Sequence, residues 1–200
     1  MQEHYDIVVI GGGIHGAGVL QAAAATGYSC LLLEQYAQPA LGTSSRSSKL
    51  IHGGLRYLET GEFKLVYQCL RERRLLLRNA PGLVKLKPFF IPVYRQTSRG
   101  PWQIRAGLAL YSLLAGYGRR VRFRTVPRTR WSELDGLRQT DLQQVFQYAD
   151  AQTDDAALTK AVITSAESLG AEVRYQAEFQ RAEFANGNYN IRFLDQTSKL

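Results

Sequence analysis

Asp6-Ile7-Val8-Val9-Ile10-Gly11-Gly12-Gly13-Ile14-His15-Gly16 decides how the chain begins. Four β-branched residues in a row make a short buried strand, and three glycines make a tight turn. Ile14 to Thr26 is alanine-rich and helical, and Gly27 ends it. Cys30 to Leu33 is a second apolar strand. The spacing is that of a βαβ unit, whose strands run parallel with the helix packed across them. Gly11, Gly13 and Gly16 fall in the order Gly-x-Gly-x-x-Gly. Gly11 permits the sharp turn, Gly13 lets the backbone approach a pyrophosphate, and Gly16 lets helix and strand close together. The amides of the helix N-terminus, around Gly12, Ile14 and His15, then face the anion. Glu34 ends the second strand, followed by Gln35. Its carboxylate suits a ribose diol and would repel a 2′-phosphate, which argues against NADP. A glycine turn without a ligand is the structural alternative.

Composition sets outer limits. The 200 residues are 45% hydrophobic and 21% charged, the balance of an ordinary soluble globular chain. No apolar run approaches the roughly 18 residues of a membrane span. Ile7 to Ile10 breaks at once into glycines and does not read as a secretory signal. Cys30 and Cys69 are too few for a disulfide framework or a zinc site and read as reduced core thiols. No metal site is expected.

Beyond Gln35 the chain does not continue into further βαβ units, as a simple NAD domain would. It enters a Pro/Gly/Ser/Thr-rich loop, Gln38 to Ser48. Thr43-Ser44-Ser45-Arg46-Ser47-Ser48-Lys49 offers hydroxyls and two cations suited to a diphosphate and to the polar edge of a flavin, although a solvated serine-rich linker has the same composition. After Leu50 and His52-Gly53-Gly54 comes an amphipathic helix, Glu62 to Asn79, with Phe63, Val66, Tyr67, Leu70 and Leu77 on one face and arginines on the other. Phe89 to Tyr94 reads as a strand and Trp102 to Leu114 as a helix. Val145 to Ala149 is another strand. Asp154 to Leu169 is a helix with Thr153 as its N-cap. Glu172 to Tyr175, Glu178 to Ala185 and Tyr189 to Leu194 are strands, the last two flanking the hairpin turn Asn186-Gly187-Asn188.

The segment Gly42 to Phe63, GTSSRSSKLIHGGLRYLETGEF, closely resembles the signature of FAD-dependent, quinone-linked glycerol-3-phosphate dehydrogenases. The opening DIVVIGGGIHGAGV resembles that family's FAD motif. Arg71-Glu72-Arg73, the Ala80-Pro81 turn, Phe90-Ile91-Pro92, Trp102 to Tyr111 and FQYADAQTDDAAL from Phe146 also fit. His15 departs from the family, where a small residue such as Thr is expected. The resemblance implies an α/β fold: a Rossmann-like FAD-binding domain of the glutathione-reductase type with part of a mixed-sheet substrate domain. Residues 1–80 would form the FAD core and flavin loop, 81–145 the start of the substrate domain, and 146–200 a return to the FAD domain. The C-terminal part of the natural protein is expected to lie beyond Leu200.

The implied reaction is oxidation of sn-glycerol 3-phosphate to dihydroxyacetone phosphate, with electrons passing through FAD to a quinone. Arg56 would take the substrate phosphate, since arginine binds it bidentately. Tyr57 would hydrogen-bond the substrate, and His52 and Lys49 would lie against the flavin, with Leu50 also at the cofactor. His52 is a candidate base, with other active-site groups expected in the C-terminal half. A turn-capping His52 and an ion-paired Arg56 are the structural alternatives; His4 and His15 read as incidental. The functional alternatives are a related FAD-dependent oxidoreductase acting on another hydroxy acid or amine, and a truncated, non-catalytic FAD-binding or membrane-docking fragment.

Net charge is +8, and residues 73–132 hold fourteen basic groups and no acid. This block reads as a solvated basic face or as attachment to an anionic membrane surface, with Trp102, Leu108, Leu110, Leu113 and Leu114 supplying apolar contact. No nucleic-acid motif accompanies the charge, so a nucleic-acid partner is not expected. The expected place is the cytoplasm, peripheral on the inner face of the membrane. Ser198-Lys199-Leu200 matches a peroxisomal address and is read as a chance match.

Overall fold

The computed structural model describes residues 4–116 and 122–196. In chain order the elements are β1 (Ile7–Ile10), α1 (Ile14–Ala25), β2 (Cys30–Leu33), β3 (Leu50–Ile51), α2 (Phe63–Asn79), β4 (Val84–Tyr94) and α3 (Pro101–Leu114). There follow β5 (Arg124–Thr125), β6 (Leu142–Thr153), α4 (Asp155–Ser168), β7 (Glu172–Arg174), β8 (Ala177–Ala185) and β9 (Asn188–Asp195). Two compact units result: residues 1–49 with 154–200, and residues 50–153. The boundaries expected after residues 80 and 145 are not where the units part. Residue 80 follows α2, which packs inside the second unit, and residue 145 lies within the continuous strand β6.

In the first unit β1, β2 and β7 form a parallel sheet in that order, with Ile7 beside Cys30 and Leu31 beside Glu172. All four residues of β2 are buried, as a strand covered on both faces requires. Cys30 and Leu32 point to one face, where Leu20, Ala23 and Ala24 of α1 and Ala166 of α4 meet Val9. Leu31 and Leu33 point to the other, against Ala177, Ile191 and Phe193 of the β8–β9 hairpin. Alanines on α1 let the two helices approach closely. The α4 N-cap is Asp154 rather than Thr153: its carboxylate accepts from the amides of Ala156 and Ala157, both at 3.1 Å. Asp154 satisfies two orphan amides where Thr153 is still the last residue of β6.

In the second unit β6 is the central strand. It pairs antiparallel with β4 along its length, and with β3 and β5 on its other side. β4 is therefore an edge, where Pro88 and Pro92 sit without breaking a ladder on their free side. Val66 and Leu70 of α2 pack with Tyr111 and Ala115 under Tyr148. Leu108 of α3 packs with Val93 and Phe146. Three expectations change here. Phe63 and Tyr67, placed on the apolar face of α2, are each 49% exposed. Arg73, placed with the solvated arginines, is buried. Leu108, offered as a membrane contact, belongs to the core. Of the basic block 73–132, residues 117–121 lie outside the described residues, as does Ser198-Lys199-Leu200; its part after residue 121 includes β5 and a short 3-10 helix, Arg128–Glu133.

Candidate functional site

The first unit holds a cleft of 460 Å³ at the carboxyl ends of β1 and β2, where ligands bind in open parallel sheets. Its walls come from Gly11, Gly13, Ile14 and His15 of the first turn, from Glu34 and Gln35 after β2, and from Thr43 and Ser44 of the loop. Gly12 and Gly16 stand behind that wall. A Cβ on Gly16 would lie 1.9 Å from the Gly11 carbonyl oxygen, so only hydrogen fits between helix and strand end. Gly11 itself is left-handed, with φ +98°. Gly13 is the N-cap of α1 and caps with no side chain. The capping contact comes instead from the loop: Ile14 N–H donates to Ser44 Oγ at 3.0 Å.

Glu34 forms the floor. It is buried, yet each carboxylate oxygen takes a backbone amide: Gly12 N–H donates to Oε2 and Tyr36 N–H donates to Oε1. A carboxylate has about four acceptor positions, so each oxygen keeps capacity for a second donor. These features fit a dinucleotide: bare backbone at a helix N-terminus, and a fixed acceptor pair at the end of the second strand. The loop is held against the turn by Ala40 N–H, which donates to the Gly12 carbonyl at 3.1 Å. Ser45, Ser48 and Lys49 do not line the cleft. Ser45 Oγ turns back to the Gly42 carbonyl, and Ser48 and Lys49 are exposed. Sequence reasoning missed Ala177, Glu178 and Phe179, which supply another wall. Their signal is topological only, since β8 begins beside Glu34: Ala177 N–H donates to the Glu34 carbonyl.

The second unit holds a cavity of 390 Å³ lined by Leu50, His52, Gly54, Leu55, Arg56 and Tyr57, with Phe89, Tyr148 and Asp150 from the sheet. The four residues singled out in this stretch, Leu50, His52, Arg56 and Tyr57, thus share one space. The Gly-Gly turn makes this arrangement. Gly54 is left-handed, φ +71°, and a Cβ there would sit 2.4 Å from the Tyr57 ring. A Cβ on Gly53 would sit 2.3 Å from both Leu70 Cδ2 and Tyr111 Oη. Gly54 N–H donates to His52 Nδ1 at 3.2 Å, which fixes the neutral tautomer with its proton on Nε2.

Behind the turn lies a polar cluster that the sequence did not announce. Arg73 is ion-paired with Asp150, both buried. Tyr111 Oη donates to Asp150 Oδ2 at 3.1 Å and accepts from Gly53 N–H at 2.9 Å. Burial, and then the Asp150 charge, push the Tyr111 phenol far above the ordinary tyrosine value. Tyr148, beside it, is pushed up by burial and by the same carboxylate. Among the described residues no group of three or more His, Cys, Asp or Glu gathers to hold a metal, and no helix is long and apolar enough to cross a membrane.

The family described as DAO, FAD dependent oxidoreductase, matches residues 6–198. A glycerol-3-phosphate dehydrogenase of Pseudomonas aeruginosa is 41% identical over 191 residues, 96% of this chain and 36% of that protein. A D-erythritol 1-phosphate dehydrogenase of Brucella abortus is 39% identical over 190 residues, 94% of this chain and 37% of that protein. The chain spans about a third of the length of these relatives. Among solved structures, glycerol-3-phosphate dehydrogenase from Bacillus halodurans, complexed with FAD, matches with a TM-score of 0.70 at 24% identity, over 98% of this chain and 32% of that one. That likeness is one of fold.

Proposed function

This chain belongs to the FAD dependent oxidoreductase family, and from that premise we propose that it carries the FAD cleft and part of the substrate site of a flavoenzyme that oxidises sn-glycerol 3-phosphate to dihydroxyacetone phosphate, with a quinone as electron acceptor. The carrying observation is the Glu34 floor: a buried carboxylate already bonded to the Gly12 amide, set beside a bare helix N-terminus. The names of two relatives support the substrate class, since both describe dehydrogenases of a polyol phosphate.

FAD, when bound, supplies the two-electron acceptor. The chain's own residues bind and orient. Glu34 offers its remaining lone pairs to the ribose hydroxyls. The amides of the first turn of α1, with Thr43 and Ser44, would hold the pyrophosphate. In the second unit Arg56 clamps the substrate phosphate and Tyr57 donates to it. His52 in its neutral form donates at Nε2; accepting the alcohol proton there requires the other tautomer and loss of the Gly54 bond. Peripheral attachment to an anionic membrane is part of the same proposal. Its support is the basic stretch 73–132 and the 73% exposed Trp102 at the start of α3.

The test is a visible spectrum of the purified protein. A flavin band that bleaches with glycerol 3-phosphate but not with glycerol supports the proposal. Bleaching by a 2-hydroxy acid or amino acid alone overturns the substrate. A colourless protein that takes up no FAD yet pellets with anionic liposomes identifies a docking module instead.

A further inference from the structure

Arg73, Asp150 and Tyr111 form the most deeply buried polar group among the described residues of the second unit, and nothing in the binding scheme above uses them. As a source of stability the arrangement is poor. A buried ion pair returns little net energy after desolvation, and Arg73 Nε is buried without a hydrogen-bond partner. An apolar trio would fill the same volume at less cost. What the arrangement does deliver is direction. Asp150, held by Arg73, accepts only, so the Tyr111 proton goes to Oδ2. The phenolic oxygen is then left as an acceptor, facing the Gly53 amide at 2.9 Å and Arg73 Nη1 at 3.4 Å. Gly53 is pinned between Leu70 and that oxygen. It is followed at once by left-handed Gly54, whose amide holds His52, and by the 3-10 turn Leu55–Leu58, which carries Arg56 and Tyr57.

We propose that Tyr111 is a positioning residue: its hydroxyl, oriented by the Arg73–Asp150 pair, fixes the Gly53–Gly54 turn and thereby sets Arg56 for the phosphate of a polyol phosphate. The proposal rests on the substrate reading above for its ligand, but the claim about the turn does not. Tyr111 lines neither the first-unit cleft nor the second-unit cavity. Its ring packs edge-on to Tyr148, centroids 6.2 Å apart, and a phenylalanine keeps that contact.

The experiment uses the full-length protein with FAD. Tyr111→Phe raises KM for glycerol 3-phosphate about tenfold, the size of one lost buried hydrogen bond, with kcat within about twofold and an unchanged flavin spectrum. Combined with Arg56→Ala it adds nothing further, because both changes remove the same contact. Hydrogen exchange at the Gly53 amide, slow in the wild type, becomes fast in Tyr111→Phe. If Tyr111→Phe does not fold, Arg73→Lys, which keeps a charge beside Asp150 but changes the hold on Tyr111 and does not line the cavity, is read in the same way. Unchanged KM, or effects of Tyr111→Phe and Arg56→Ala that multiply, overturn the positioning role. Unchanged Gly53 exchange overturns the turn itself. If wild-type protein ignores glycerol 3-phosphate while Gly53 exchange responds, the substrate reading fails and the turn stands.

Discussion

The two sites are built from different materials. The first-unit cleft is made of main chain. Its decisive contacts are amides, a carbonyl, and places where no Cβ fits, with one carboxylate as floor. The second-unit cavity is made of side chains, and its shape depends on a buried ion pair, whose Asp150 borders the space, and on a phenol behind it. Main-chain sites tolerate little variation at a few glycines and much elsewhere. Side-chain sites spread their sensitivity over residues that never meet the ligand.

The contrast makes predictions of decreasing size. Gly16→Val drives a side chain into the Gly11 carbonyl; we expect protein that fails to retain FAD, read as loss of the visible flavin band after desalting. Asp150→Ala leaves Arg73 buried and unpaired and should cost about 3–5 kcal/mol of unfolding free energy. Arg73→Met combined with Asp150→Leu should cost much less; urea titration of both separates a charge effect from a packing effect. Arg56→Ala should raise KM for glycerol 3-phosphate by roughly 10–100-fold, the loss of charged hydrogen bonds, with the flavin content unchanged. An effect on flavin content instead would blur the division of labour between the two sites.

The smallest effect concerns pH. Glu172 has its carboxyl pKa lowered, first by the Tyr5 hydroxyl and then by Arg174. A depressed carboxylate pKa contributes stability above the unfolded value, and that contribution is lost as pH falls through the folded one. Thermal melts should therefore lose stability on acidification below about pH 4.5, and Glu172→Gln should flatten that limb. An unflattened limb would assign acid sensitivity to other carboxylates.

How much of this was legible follows the same division. The βαβ unit, its parallel pairing and the glycine turn read directly from Ile7 to Leu33, because each rests on local geometry that a few residue types enforce. Leu50 and His52, expected at the cofactor, and Arg56 and Tyr57, expected at the substrate, line one cavity. Arg73 was misread because helical periodicity places a cation outside by default, and no local signal says that Asp150, seventy-seven residues on, will meet it. β4 was expected to start at Phe89 and begins at Val84, because Lys85, Lys87 and Pro88 argue against a strand unless it is known to be an edge. Ala177 to Phe179 could not be assigned to the cleft without knowing that β8 lies beside Glu34.

The first unit takes its chain from both sides of the second, and this orders its assembly. Ala177, Ile191 and Phe193 of the β8–β9 hairpin cover Leu31 and Leu33, so the opening βαβ, whose helix packs on the other face, leaves the ribosome with one face of its sheet bare. It must wait through more than a hundred further residues for its cover, while the second unit is made from one uninterrupted stretch of chain. The nascent chain thus spends that interval with an apolar surface open to chaperones.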